Sequence, residues 1–387
     1  MKVLIAVGGG GHFSPALAVI EQMPKDWEVL LVGRKYTFEG DSALSFEYQT
    51  AQRLGLPFET ITTGRLQRKF SVHTVSSLIK MPVGLTQAYK IIEKFAPDVV
   101  LSFGGYISVP VVIAASFKKI PIVIHEQTLH AGLANKVAAR IAAKICISWE
   151  ESKNYFPKNK TVLTGNPLRK EFLEGAGGTG QGVKQKNKTS PLIYITGGSG
   201  GAHGINVLIE GCLTELLEKY SIIHQTGDAK QFGDFARLEK IKMKLPTALQ
   251  KNYILKKFLT VEEVLNNLRQ ADLVISRSGI NTITELLYLG KSSLLIPLPY
   301  GQHNEQLSNA QFVQKVGLAE IIDQLSTTPE ELLQKITDMF TNIKSYEDHK
   351  EVSRKLIHLD ATEKIIKEVS GLVPNESIYE KEKRISA

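Results

Sequence analysis

Cysteine and tryptophan are scarce in this chain of 387 residues, with two of each. Cys146 and Cys212 stand in separate apolar contexts without CxxC spacing. That pattern excludes a disulfide framework or a cysteine-held metal and reads as buried, reduced thiols in a cytoplasmic setting. No apolar run reaches the roughly 18–20 residues needed to span a bilayer. The N-terminus opens directly into a strand-like run, Val3-Leu4-Ile5-Ala6, without the basic region and cleavage site of a secretory signal.

Several ligand-binding signatures are missing as well. A dinucleotide site would need GxGxxG and an acid at the end of the second strand. Here Phe13 and His203 stand where the third glycines would be, and the second strand runs into Val32-Gly33-Arg34-Lys35. No GxxxxGK[ST] occurs, which excludes P-loop phosphoryl transfer. No Asp-x-Asp occurs either, which weighs against a metal-held nucleotide diphosphate, and His and Cys show no ligand spacing. The chain carries a net charge of +8 but has no zinc-finger spacing or aromatic RNA-binding segment, so nucleic acid is not the expected partner. Phosphorylated substrates and anionic lipid suit such a charge better.

What is present is a paired pattern. Gly8-Gly9-Gly10-Gly11-His12 and Gly197-Gly198-Ser199-Gly200-Gly201 each follow a short apolar run and precede a helical pattern. Strand, glycine turn and helix together expose backbone N–H groups and a helix N-terminus to phosphate. Apolar runs alternate with helical patterns throughout, at Val3–Val7, Glu28–Val32, Val99–Phe103, Ile120–Ile124 and Lys144–Ser148, then at Leu192–Thr196, Ser221–Gln225, Asn252–Leu255, Leu273–Ser276 and Ser293–Pro297. This rhythm predicts an α/β chain of two doubly wound parallel-sheet domains, with ligands beyond the strand C-termini. Gly165-Asn166-Pro167-Leu168 reads as the crossover between them, and the segment from Gly175 to Ser190 as a surface loop. Near the end, Ile365, Ile366, Val369 and Leu372 fit an apolar helical stripe started by Asp360 or Thr362.

Seven fragments in order resemble the MurG family of bacterial cell-wall glycosyltransferases, glycosyltransferase family 28. They are Ala6 to Ala18 (AVGGGGHFSPALA), Ser102 to Pro110 (SFGGYISVP), His125-Glu126-Gln127, Gly165 to Arg169 (GNPLR), Gly197 to Ala202 (GGSGGA), Ser276 to Glu285 (SRSGINTITE) and Gln306 to Ala310 (QLSNA). The resemblance implies a GT-B fold, two Rossmann-like domains facing a cleft with a C-terminal helix returning to the first. It places an acceptor and membrane-associating domain at 1–165 with a helix at about 346–372, a donor domain at 166–345 and a charged tail at 373–387. It implies transfer of N-acetylglucosamine (GlcNAc) from UDP-GlcNAc to the 4-hydroxyl of N-acetylmuramic acid (MurNAc) on a lipid-linked muramyl-pentapeptide. The transfer would be inverting and would need no metal or other cofactor. The protein would work peripherally at an anionic membrane surface, on the cytoplasmic face.

His12 is the candidate base for the acceptor hydroxyl. A helix N-terminus disfavours imidazolium and so helps to keep such a base neutral; capping the turn or bonding a phosphate is the simpler alternative. Gly9, Gly10 and Gly11 would approach the donor through their backbones, with Gly9 standing where the family usually has threonine. Gly104, Gly105 and Tyr106 are acceptor candidates, although packing at a strand end also suits the tyrosine. Thr128 replaces the family's usual asparagine beside the donor sugar. Glu126 would pair with a helix N-terminus or orient His125, both in structural roles.

Arg169 suits the UDP diphosphate or an interdomain salt bridge. Ser199 falls inside the second glycine loop. The amides of Ile280, Asn281, Thr282, Ile283 and Thr284 are expected to face the nucleotide, with Glu285 on the ribose, Gln306 on the donor sugar and Val261 against the uracil. Arg65, Leu66, Arg68, Lys69 and Phe70 form a basic, apolar stretch suited to anionic lipid, each cation near the surface adding about 1 kcal/mol. Val75, Leu78, Ile79, Leu85 and Ile92 fit the core face of a following helix. Hexose transfer to diacylglycerol or another lipid, and a non-catalytic sugar-nucleotide-binding scaffold, stay open at this point.

Overall fold

The computed structural model describes residues 1–36, 44–64, 72–174, 190–198, 200–300 and 304–373, without the side chains of 72–80. The segments 65–71 and 175–189, Ser199 and the tail from 374 lie outside the described residues. So therefore do the expectations for Arg65, Leu66, Arg68, Lys69, Phe70 and Ser199, and for the side chains of Val75, Leu78 and Ile79.

The chain divides into two compact units, Met1–Arg169 with His358–Ala387, and Lys170–Ile357. Among the described residues the first unit holds β1 (Lys2–Ala6), β2 (Glu28–Gly33), β3 (Phe58–Thr60), β4 (Val99–Ser102), β5 (Ile122–Glu126), β6 (Lys144–Ile147) and β7 (Thr161–Leu163). They pair in the order β3-β2-β1-β4-β5-β6-β7, every neighbour parallel. The second unit holds β8 (Leu192–Thr196), β9 (Ser221–Gln225), β10 (Tyr253–Lys256), β11 (Leu273–Ser276), β12 (Ser293–Leu295) and β13 (Ala319–Ile321). Their order, β10-β9-β8-β11-β12-β13, is again all parallel.

Both sheets are doubly wound because their central strands are apolar on both faces. In the first unit Leu4, Ala6, Val100 and Ile124 join one buried cluster. Val3, Ile5, Val7, Val99, Leu101 and Val123 join the other. Alternation with a period of two thus sends each strand's side chains into two separate cores. The second core includes Phe13, Ala16 and Val19 of the Gly10–Ile20 helix together with Ile365 and Val369. Those last two lie on the C-terminal helix Ala361–Ser370, which starts after Asp360, the first of the two starts expected, without a capping bond from its side chain. Its approach is close: a β-carbon on Gly165 would meet the His358 Cβ at 2.5 Å.

The strand order decides where the functional loops fall. Each chain path reverses direction beside its first strand, and the crevice at such a reversal is where ligands bind in open parallel sheets. Ala6 of β1 pairs with Ser102 of β4, so the first glycine loop and the Gly104-Gly105 loop leave the sheet side by side. Thr196 of β8 pairs with Ser276 of β11, which does the same for the second glycine loop and the Arg277-Ser278-Gly279 turn.

Candidate functional site

In the first unit the helix after β1 begins within the glycine run, at Gly10 with Gly9 as its cap, and not at Ser14-Pro15. Glycine in the first turn lets the backbone turn directly out of the strand. His12 therefore lies in that first turn, where its amide and that of Phe13 both donate to the Gly9 carbonyl at 2.9 Å. Gly10 and Gly11 precede it at the helix N-terminus. Gly105 has a φ of +81°, open to glycine, and packs directly on Gly8. Tyr106 is partly buried and packs against the adjoining core.

The segment after β5 forms a dense polar cluster. Glu126 accepts from the Gly132 amide at 2.9 Å and from Asn135 Nδ2 at 3.0 Å, which pins the N-terminus of the short Leu133–Ala138 helix. Its other oxygen accepts from the Thr128 amide at 3.1 Å. The Thr128 hydroxyl lies 2.7 Å from the same oxygen and 2.6 Å from the His130 carbonyl, so its single proton serves one of the two. Glu126 thus pairs with a helix N-terminus as expected, and the Thr128 side chain is turned inward and buried.

His125 is fully buried, with Nε2 3.2 Å from both the Gly165 carbonyl and the Ser148 hydroxyl. Burial pushes its pKa down to about 4, so the ring is neutral. Gln127 reaches the other histidine, with Nε2 2.9 Å from His12 Nδ1. Burial holds His12 below the usual imidazole range; Glu126 and a hydrogen bond to the Phe103 backbone oppose that shift, and Arg34 adds to it. A neutral imidazole in the first turn beyond β1 is a competent proton acceptor. Arg34, in turn, is held by buried Glu47 at 3.1 Å.

The second unit contains a cavity of about 260 Å³ lined by Thr196, Gly197, Gly198 and Gly201 from the glycine loop, Ser276, Arg277, Gly279 and Thr282 from the next loop and helix, and Leu298 and Gln306. Three fragments far apart in the chain therefore meet around one space. Gln306 is anchored twice: its Oε1 accepts from the Leu298 amide at 2.9 Å, and its carbonyl accepts from the Ser278 hydroxyl at 2.7 Å. Buried Asn309 donates to the Ser278 carbonyl at 3.0 Å, so the Gln306–Ala310 segment clamps the turn that leads into the Ile280–Leu289 helix.

That helix is capped by Gly279, and helical geometry points the amides of Ile280, Asn281 and Thr282 out of its end. Ile283 and Thr284 sit deeper than expected. The Ile283 amide already donates to the Gly279 carbonyl at 3.0 Å, and both side chains are buried. Glu285 follows, partly exposed. Val261 opens the Val261–Gln270 helix, fixed there by a capping box in which Thr260 and Glu263 bond each other's amides at 3.2 and 2.7 Å. Arg169 is partly buried and closes the first unit's continuous N-terminal stretch.

Arg277 is the residue that sequence reasoning missed. Arg277 lines the cavity, and its guanidinium donates to the Ile296 and Pro297 carbonyls at 2.9 and 3.2 Å and to the Gln324 side chain. All three acceptors are neutral, and among the described residues no carboxylate forms an ion pair with it. Burial pushes its pKa down to about 10, so it remains a cation. The signal was an arginine in a turn between a buried strand and a helix N-terminus.

A polar network adjoins the same glycine loop through Thr226, whose carbonyl accepts from Asn206 Nδ2 at 3.1 Å and packs on Gly201. Asn206 Nδ2 donates to Asp234 at 2.8 Å, its Oδ1 lies 3.0 Å from His224, and His224 lies 2.9 Å from the Tyr253 hydroxyl. Burial pushes Asp234 up, but hydrogen bonds from Asn206, His203 and Arg237 outweigh it and hold the carboxyl below its usual range. Among the described residues no group of His, Cys, Asp and Glu could hold a metal ion, and no helix is long and apolar enough to cross a membrane.

Comparison with known proteins agrees with this geometry. Residues 3–147 match the glycosyltransferase family 28 N-terminal domain, and residues 192–369 match the glycosyltransferase family 28 C-terminal domain. A relative from Lachnoclostridium phytofermentans, the UDP-N-acetylglucosamine--N-acetylmuramyl-(pentapeptide) pyrophosphoryl-undecaprenol N-acetylglucosamine transferase, is 35% identical over 95% of this chain and 98% of its own. A Bacillus cereus protein of the same name, numbered 2, is 33% identical over 96% and 99%. The crystal structure of Acinetobacter baumannii MurG superposes with a TM-score of 0.70 at 26% identity, covering 96% of this chain and 99% of that one. A glycosyltransferase of kitacinnamycin, at 16% identity and a TM-score of 0.69, shares the fold. The two parallel-sheet, Rossmann-like units are those of a GT-B glycosyltransferase, and the chain belongs to glycosyltransferase family 28.

Proposed function

We propose that this chain transfers GlcNAc from UDP-GlcNAc to the 4-hydroxyl of MurNAc in a muramyl-pentapeptide pyrophosphoryl-undecaprenol. The observation that carries the proposal is the cavity in the second unit, where the glycine loop, a helix N-terminus and Arg277 surround one space. Backbone amides, a helix dipole and a fixed cation are what a nucleoside diphosphate needs in order to bind and then to leave as an anion. The full-length match to relatives named for this reaction supports the same assignment.

In this reading the second glycine loop, including Ser199, holds the UDP diphosphate together with Arg277 and Arg169. The amides of Ile280, Asn281 and Thr282 add to it, Glu285 takes the ribose hydroxyls, Val261 lies against the uracil and Gln306 meets the donor sugar. Gly9, Gly10 and Gly11 offer their backbones to the donor, whereas the Thr128 hydroxyl is buried against Glu126 and His130 and is not open to it. Gly104, Gly105 and Tyr106 hold the acceptor. His12 takes the proton of the 4-hydroxyl as its oxygen bonds to C1 of GlcNAc. The bond from C1 to the diphosphate breaks with its electron pair on UDP, and the anomeric centre inverts. Charge on the leaving group is balanced by Arg277 and the backbone, without a metal ion. Arg65, Leu66, Arg68, Lys69 and Phe70 dock the protein peripherally on anionic lipid at the cytoplasmic face.

UDP release tests this with UDP-GlcNAc, UDP-glucose and UDP-galactose as donors and a short-chain lipid-linked muramyl-pentapeptide as acceptor. Release from UDP-GlcNAc above the other two is expected. Preference for a hexose donor would point instead to a related lipid glycosyltransferase. His12→Ala should abolish release and leave UDP binding intact; surviving turnover would remove His12 as the base.

A further inference from the structure

Gln127 faces His12 at Nδ1, and a hydrogen bond to the Phe103 backbone also holds the ring; in the proposed reaction the substrate meets Nε2. Gln127 is buried and rigidly placed. Its own carbonyl accepts from Trp149 Nε1 at 3.0 Å, and the next carbonyl, of Thr128, accepts from the Ser152 hydroxyl at 2.7 Å. Yet its side-chain oxygen, Oε1, is buried and has no hydrogen-bond partner among the described residues. A buried acceptor left without a donor is costly, and it lies on the same carboxamide that faces the imidazole.

A carboxamide offers a ring nitrogen either a donor or an acceptor, according to which way it is turned. With its nitrogen toward Nδ1, the ring accepts there and carries its proton on Nε2, which cannot then act as a base. With its oxygen toward Nδ1, the ring donates there and Nε2 holds the lone pair. We propose that Gln127 is a positioning residue that selects the tautomer of His12, its carbonyl oxygen accepting Nδ1–H so that Nε2 takes the proton of the acceptor hydroxyl. The neutral ring exchanges its proton with water as the amide turns. After transfer the imidazolium donates from both nitrogens, and Oε1 is the acceptor already waiting for Nδ1–H. The charged and titratable groups facing the ring are Glu126 at the end of β5, Arg34 after β2 and the neighbouring His125. This inference rests on the reading of His12 as the base.

Two variants test it in the full chain, with UDP-GlcNAc and the short-chain lipid-linked muramyl-pentapeptide as substrates. Gln127→Met keeps the length and removes both polar atoms; kcat should fall about 10²-fold, the order of a general base, with the KM for UDP-GlcNAc within two-fold. Gln127→Glu keeps an oxygen at Nδ1 and adds charge, so turnover should persist with the acid limb of kcat/KM moved to higher pH. Nitrogen NMR of His12 should show Nδ1–H dominant with UDP bound in the parent and a tautomer mixture in Gln127→Met. Parent-like kcat in Gln127→Met, or an unmoved acid limb in Gln127→Glu, would overturn the inference. Should Gln127→Met fail to fold, the Gln127→Glu pH profile still decides. Turnover by His12→Ala would instead overturn the underlying base assignment, so the two failures are distinct.

Discussion

Gly8 and Gly105 pack backbone against backbone, so that a β-carbon on Gly105 would lie 2.5 Å from the Gly8 Cα. The contact joins the loops after β1 and β4 at the point where the sheet order reverses. Gly105→Ala adds a methyl where none fits and forces a φ of +81° on a residue with a side chain. It should cost about 1–3 kcal/mol in urea unfolding. Gly11→Ala, in a helical turn with open space around the new methyl, should leave stability unchanged or raise it. Equal effects would show that the close packing is not what requires glycine.

Arg277 lines the second unit's cavity, and its partners among the described residues are neutral. Arg277→Met should raise the KM for UDP-GlcNAc about ten-fold or more, the range expected for losing a charge-assisted contact. Arg277→Lys should recover part of it. An unchanged KM in Arg277→Met would mean the cation serves only to brace the Ile296-Pro297 segment.

Acid should weaken the fold before it protonates the core. Burial lowers His125 to about 4 and His224 further, against 6.5 for an ordinary imidazole. Both are neutral when folded, so their contribution is complete above pH 6.5. Below that the unfolded chain binds protons that the folded chain does not, and stability falls by about 1.4 kcal/mol per pH unit for each ring. For His125 the loss ends near pH 4. Urea midpoints at pH 7 and pH 5 measure it, and equal midpoints would contradict these assignments.

Both thiols are buried, and burial raises Cys146 well above the usual range and Cys212 to about 12. Neither should react with a disulfide reagent in the native protein within minutes, while both should react in denaturant. Fast labelling at pH 8 without denaturant would place a thiol at the surface.

The strands readable in the sequence are the central ones and one edge strand, β10. β1, β4, β5, β8 and β11 are buried on both faces, which demands the continuous apolar runs seen at Val3–Val7 or Leu273–Ser276. β3, β7 and β13 escape such reading because each is a three-residue edge strand with at least one half-buried or exposed position. Their sequences, Phe58-Glu59-Thr60, Thr161-Val162-Leu163 and Ala319-Glu320-Ile321, carry no run to detect. The same divide holds at the site. Glycine loops are legible because backbone approach requires glycine, whereas Arg277 and the His12–Gln127 contact depend on distant segments meeting. No local spacing links residues 12 and 127, or 277 and 324.

The proposed transfer is tested most directly by the mass of the lipid product after incubation with UDP-GlcNAc and the lipid-linked muramyl-pentapeptide. The acceptor should gain one N-acetylhexosamine residue, in step with the UDP formed and only when both substrates are present. UDP formed without that gain in mass, or no reaction with a folded, UDP-binding protein, would contradict it.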